Sequence, residues 1–328
     1  MNSSNASAIG FVERFRTAAL LFNLLLYVVA VLGNGWVLLT FAKYAELRKR
    51  MKKECLYLIG GLSVFDLCTG LGSSIFVWGV LLQTIGVIGP VSRFRCSVTV
   101  FMQNTPALCG FVLTLLIAVD RYQAFNVPLK YRLKDHRKYG IGAFLIALSL
   151  ACSVNLTAFV GVDLSTPIPV CSMSFASSQL YVVTFLLTVF ATHPAVVLVY
   201  FWALVLMRKR SKQTKNDRAL ERQVKVTRTV SVVVLCYFFN CMLINYIYLT
   251  AQLSGAPWFV MGVLEPLVDV GLAMNSSINV IIYAAKHHTL RSYLWALAKG
   301  KSQNAVGTQS ATVNRSRKSN EPKAENAL

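Results

Sequence analysis

Seven apolar runs set the terms for this chain, at residues 18–41, 56–83, 98–119, 139–162, 180–207, 230–253 and 259–285. A bilayer core about 30 Å thick needs roughly 20 apolar residues of helix, and each run is long enough. Charged residues make up only 14% of the chain, against about 25% in an ordinary soluble domain. In lipid every backbone N–H and C=O must be satisfied internally, which leaves helices as the elements these runs can form. The expected fold class is all-α, a seven-transmembrane helix bundle.

The formal net charge of +20 could point to a nucleic-acid partner, so the placement of the 33 basic residues decides the matter. All but Arg14, Arg16, Arg93 and Arg95 fall on alternate loops: 43–53, 121–138, 208–228 and the region after span 7. By the positive-inside rule those loops are cytosolic, the N-terminus is outside and the C-terminus is in the cytosol. Topology accounts for the excess, and no nucleic-acid role is expected. Asn2 and Asn5 head glycosylation sequons in the external segment. Residues 1–17 are polar, with no cleavable signal pattern, and the first apolar run reads as a retained span.

Three regions follow: an external tail over 1–17, a helix bundle over 18–298, and a polar Ser/Asn/Lys-rich tail over 299–328 expected to be disordered. Just after span 7, Leu290, Tyr293, Leu294 and Leu297 share one helical face. This reads as a short amphipathic helix lying on the inner membrane surface. Pro106, Pro194 and Pro266 fall inside spans 3, 5 and 7, where a missing N–H bends a helix.

A charge within a span is expensive and is a functional hypothesis by default. Asp66 in Leu-Ser-Val-Phe-Asp is the deepest. Asn275, Ser276 and Asn279 of span 7, with Asn34 of span 1, are its expected partners in a polar knot. The knot is either hydrogen-bonded alone or holds water or a sodium ion on oxygen ligands. Cys96 and Cys171 both face the oxidising side, where disulfides persist, and the other cysteines lie in spans or at the cytosolic border. A Cys96–Cys171 bridge is the economical pairing and would pin the loop after span 4 over the mouth of the bundle.

Gly33-Asn34 in span 1, Asp66 in span 2, Cys96 placed 25 residues before Arg121, Asp120-Arg121-Tyr122 closing span 3, Pro128-Leu129 beyond it and Asn275–Tyr283 in span 7 stand in one order. Together they resemble the rhodopsin-like class of G-protein-coupled receptors over residues 18–298. Within that class the basic stretch 47–67 and span 6 look most like nematode chemosensory receptors of the serpentine Srsx type. The resemblance implies a receptor that binds an extracellular ligand and activates a heterotrimeric G protein. A neuropeptide or small-transmitter receptor of the same class is the alternative, and a seven-helix scaffold or a transporter the second.

As the family implies, Asp120 holds Arg121 at rest. Activation frees Arg121 toward Tyr283 and the tail of the G-protein α-subunit. Pro128, Leu129 and the basic ends within 208–228 complete the docking surface, with Tyr122 and Asn279 part of the same switch. Ser302, Thr308, Ser310, Thr312, Ser316 and Ser319 are expected phosphorylation sites for arrestin. The family's ligand cavity opens between the outer halves of spans 3, 5, 6 and 7. Gln103 stands where amine receptors carry an aspartate, so an ordinary biogenic amine loses its usual partner. Ala273 stands where opsins carry the retinal lysine, so no retinal is expected. Asp269, and Glu265 one turn away, are expected either to meet a cationic or hydrogen-bonding ligand beside Gln103 and Asn245, or to pair with Arg93, Arg95 or water at the rim.

The chain departs from the family at several points. Val280 follows Asn279 where a proline is usual, span 4 lacks a tryptophan, and Met242 and Ile244 replace the tryptophan and proline of span 6. Val224 takes the place of an acid that in many members holds the arginine, which leaves Asp120 to hold Arg121 alone. No enzyme is expected. The four histidines lack metal-ligand spacing, no Gly-rich phosphate loop occurs, and Asp66 and Asp269 lie at different depths.

Overall fold

The computed structural model describes residues 3–45, 47, 56–168, 171–213, 218–286 and 288–300. Seven of its helices are long and apolar enough to cross a membrane. Span 1 lies in Ser3–Lys43, span 2 in Leu56–Thr84, span 3 in Arg93–Asn126, span 4 in His136–Leu156 and span 5 in Gln179–Gln213. Span 6 is built from Arg218–Tyr237, a π-turn over Phe238–Leu243, and Ile244–Leu253; span 7 lies in Trp258–Lys286. The helix of span 1 thus runs back through the polar segment before residue 18. Asn5 lies in its first turn, whereas Asn2 and the serines and threonines of the C-terminal tail lie outside the described residues.

Span 1 packs on spans 2 and 7, and span 3 runs through the middle against spans 2, 4 and 5. Ala143, Ala147 and Ala151 of span 4 recur every fourth residue and are buried in the central cluster with Leu108, Val112 and Leu113 of span 3. Such small residues let helix backbones approach where lipid supplies no hydrophobic drive. Pro106, Pro194 and Pro266 are all carried inside continuous helices.

Span 6 finds its irregularity without proline. Its π-turn sets the Asn240 carbonyl against span 7 at Gly271, where an added Cβ would run into that oxygen. Only glycine leaves the room. π-Turns widen a helix locally and free backbone groups, and here Asn245 Nδ2 donates to the Cys241 carbonyl at 2.7 Å.

At the end of the bundle expected to face outward, Cys96 and Cys171 form a disulfide, and Val91–Ser92 pairs antiparallel with Pro167–Ile168. Cys171 N donates to Gln83 Oε1 at 3.0 Å and Ser97 Oγ to the Ala176 carbonyl at 2.8 Å, fixing the loop over the bundle. In that loop Asp163 accepts from the hydroxyls of Ser165 at 2.7 Å and Thr166 at 3.0 Å. The Ser165 and Thr166 donors hold its carboxyl below the usual carboxylate range.

At the inner end the short helix His288–Ala298 follows span 7. Its Leu290, Tyr293 and Leu294 are buried with Tyr44, Leu47 and Tyr283, and the Tyr44 and Tyr293 rings lie 5.1 Å apart. The expected short amphipathic helix after span 7 is present, and its apolar face packs on the end of the bundle. The face closes the bundle's inner end, because spans 1 and 7 offer it a protein surface, and Trp295, 63% exposed, is left pointing outward.

Candidate functional site

Near the outer end the helices leave a cavity of about 150 Å³, and Gln103, Asn245, Glu265 and Asp269 all line it. The rest of the wall is largely apolar, including Phe76, Phe111, Phe185, Phe190 and Leu249, and Cys171, Ser172 and Met173 line it from the pinned loop. Gln103 Nε2 of span 3 donates to Asp269 Oδ1 of span 7 at 3.3 Å, toward the long end for a hydrogen bond. The two residues expected as separate ligand contacts are thus each other's partner. The cation at the cavity is Arg16 of span 1, not Arg93 or Arg95. Arg93 turns to the Asp163 carbonyl at 3.5 Å and Arg95 is exposed.

Asn104 lines the same cavity and donates to the Tyr181 hydroxyl at 2.8 Å, which donates on to Asn155 Oδ1 at 3.1 Å. This polar chain links spans 3, 5 and 4. Sequence reading missed it because none of the three residues is charged or part of a motif.

In the bundle interior Asn279 Nδ2 donates to Asp66 Oδ2 at 2.9 Å. Asn34 Nδ2 reaches the Ser276 carbonyl at 3.1 Å and the Ala30 carbonyl at 2.9 Å. Asn34, Asp66, Asn275, Ser276 and Asn279 are all buried. Ser63 Oγ and the amide oxygens of Asn34, Asn275 and Asn279 lack a hydrogen-bond partner. Buried oxygens in that state call for water or a cation, and spans 1, 2 and 7 all contribute them.

At the inner end of span 3, Arg121 is 1% exposed and Asp120 fully buried. Arg121 forms an ion pair with Asp120. Its Nη2 also donates to the Tyr131 hydroxyl at 2.7 Å, and that hydroxyl donates to Asp120 Oδ2 at 3.0 Å. Its Nη1 donates to Gln223 Oε1 of span 6 at 2.9 Å. Asp120 does not hold Arg121 alone: Val224 is apolar, but its neighbour Gln223 faces the guanidinium. Lys134 Nζ adds a third charge 3.6 Å from Asp120 Oδ1 and sits 3.0 Å over the Tyr139 ring centroid. Tyr122 is half-buried outside these bonds, and Tyr283 is packed in the cluster around Tyr44 and Tyr293. Pro128 opens a short helix, Pro128–Leu133, at its first position. That helix delivers Tyr131 to the arginine and leaves Leu129 73% exposed.

The sequence matches the family model described as 7 transmembrane receptor (rhodopsin family) over residues 33–283. The chain belongs to the rhodopsin family of seven-transmembrane receptors. This receptor is thus a multi-pass membrane protein of a family of receptors, not enzymes. It is similar to Olfactory receptor 2K2 of Homo sapiens, 25% identical over 150 residues, covering 46% of this chain and 44% of that protein. It is also similar to Olfactory receptor 10Q1 of Homo sapiens, 28% identical over 148 residues, covering 44% of each. The aligned part of the receptor thus spans less than half the length of these relatives.

Proposed function

We propose that this receptor is chemosensory, binding a small extracellular ligand in the outer cavity and activating a heterotrimeric G protein at its inner end. The observation that carries the reading is the pairing of two assemblies on span 3. Gln103 faces a cavity at one end, and a buried arginine is tied to span 6 at the other. A ligand shifts the bundle only as far as it binds one arrangement better than another, and span 3 is common to both ends. A cavity of about 150 Å³ suits a small molecule better than a peptide. Similarity to two olfactory receptors supports the chemosensory assignment. The narrower likeness to nematode Srsx-type receptors rests on residues 47–67 and span 6.

The distribution of basic residues supports an outside N-terminus and a cytosolic C-terminus. Pro128, exposed Leu129 and the basic ends within 208–228 form the docking surface, and the tail serines and threonines recruit arrestin once phosphorylated. The unpartnered oxygens around Asp66 fit a sodium ion, which would supply a fixed positive charge to that carboxylate. Retinal has no lysine at Ala273 with which to form a Schiff base. Replacing Arg121 with Ala tests the reading. Surface expression is expected to persist and ligand-dependent G-protein activation to disappear; unchanged signalling would refute the coupling role.

A further inference from the structure

We infer that the outer cavity is built for a compact organic cation, an amine with an apolar body, whose ammonium group pairs with Asp269. The inference deepens the proposed ligand site and rests on it. Among the residues lining the cavity, Glu265 and Asp269 are acids and Arg16 is the sole base. By formal charge the acids outnumber the base by one. Asp269 lies one helical turn further into the bundle than Glu265; its side-chain hydrogen-bond partner is the neutral amide of Gln103 at 3.3 Å, and Arg16 acts on both acids from further off. A neutral amide orients a carboxylate but does not cancel its charge. In a largely apolar wall a carboxylate charge without an ion-pair partner in contact is costly, and a ligand ammonium within hydrogen-bond reach relieves it more than an alcohol can. A carboxylate ligand meets like charge and is rejected. The apolar wall, with Phe111, Phe185 and Leu249 among its members, takes the hydrocarbon part.

Gln103, which stands where amine receptors carry an aspartate, is neutral, and the acid it faces, Asp269, belongs to span 7. The ammonium therefore approaches from the span 7 side and displaces the Gln103 amide from Asp269 Oδ1.

The test uses the full-length receptor purified in detergent, with ligand-induced thermal stabilisation as the binding readout. The probes are cyclohexylamine, benzylamine and hexylamine, against cyclohexanol, benzyl alcohol and hexanol and the matching carboxylates. The amines are expected to stabilise the receptor more than either comparison set. Asp269→Asn is expected to weaken amine binding by about thirtyfold, as loss of one partner of a desolvated charge pair does. Arg16→Gln is expected to tighten it, because the competing cation is gone. Alcohols matching amines, amine binding indifferent to Asp269→Asn, or no binding by any amine each overturns the assignment. Ala107→Phe separates the two claims, since Ala107 lines the same cavity. Alcohol binding that this variant abolishes removes the amine and keeps the cavity as ligand site. Binding that survives it removes the cavity as well.

Discussion

Arg121 of span 3 reaches across the bundle to Gln223 of span 6, with Nη1 2.9 Å from Oε1. The carboxylate of Asp120 and the hydroxyl of Tyr131 grip the other side of the same guanidinium. An inter-helical tie therefore exists without an acid on span 6, and a neutral amide makes it. A hydrogen bond to a charged group contributes about 1.5–3 kcal/mol, less where water reaches it, as it does at half-buried Gln223. The tie is weaker than an ion pair and easier to break.

Gln223→Leu should therefore raise ligand-independent signalling. Loss of roughly 1.4 kcal/mol from the tied arrangement shifts the equilibrium about tenfold. Gln223→Glu should do the reverse, placing a full charge opposite Arg121 and lowering basal activity. Nucleotide exchange on a purified G protein, without ligand, reads both. Equal basal rates for the two variants and the parent would show that the tie does not restrain the receptor.

The bundle and its deepest polar pair were legible in the sequence for physical reasons. Lipid forces apolar runs into helices, and a carboxylate such as Asp66 inside a span needs a partner, which Asn279 supplies. Gln103 and Asp269 were recognised as cavity residues, but their mutual bond was not, because helix rotation is set by packing rather than by local pattern. Gln223 and Tyr131 carry no motif, and only the folded inner end brings them to Arg121. The π-turn was hidden too. It depends on the fit of the Asn240 carbonyl against Gly271, a tertiary relation between residues distant in sequence.

Gly271→Ala should be destabilising in a way most glycine changes in this bundle are not. The new methyl must displace the Asn240 backbone, and overpacking of this kind costs about 1–3 kcal/mol. Gly35→Ala is the control, since nothing lies within 4 Å of an added Cβ there. Thermal denaturation of the two variants should show a lower midpoint for Gly271→Ala alone. A normal midpoint would mean that the π-turn relaxes freely.

Removing the outer disulfide should loosen the loop that lines the cavity. Cys96 and Cys171 are 75 residues apart, and a crosslink closing a loop of that length typically contributes about 2–4 kcal/mol. The double change Cys96→Ser with Cys171→Ser should lower stability by that order and weaken any ligand held against Ser172 and Met173. Ligand-induced stabilisation of the double variant measures the second effect. Undiminished stabilisation would place the loop outside the binding site.

His193 offers a prediction of the opposite sign. It is fully buried in span 5, and both ring nitrogens lack a hydrogen-bond partner. Its ring centroid lies 5.0 Å from that of Phe111 and 5.2 Å from that of Tyr237, so its immediate company is aromatic. An unsatisfied buried polar group costs about 1–3 kcal/mol. Phenylalanine keeps a flat ring in the same aromatic nest and carries no nitrogen to leave unpaired. His193→Phe should therefore raise the thermal midpoint of the receptor by a few degrees, given that ~1 kcal/mol moves Tm by ~2–4 °C in domains of about 150–250 residues and by less in a longer chain. His193→Ala should lower it by opening a cavity between spans 3, 5 and 6. The Tyr237 hydroxyl beside it is also unpartnered. A lower midpoint for His193→Phe would mean that the imidazole is hydrogen-bonded after all, through a water shared with that hydroxyl.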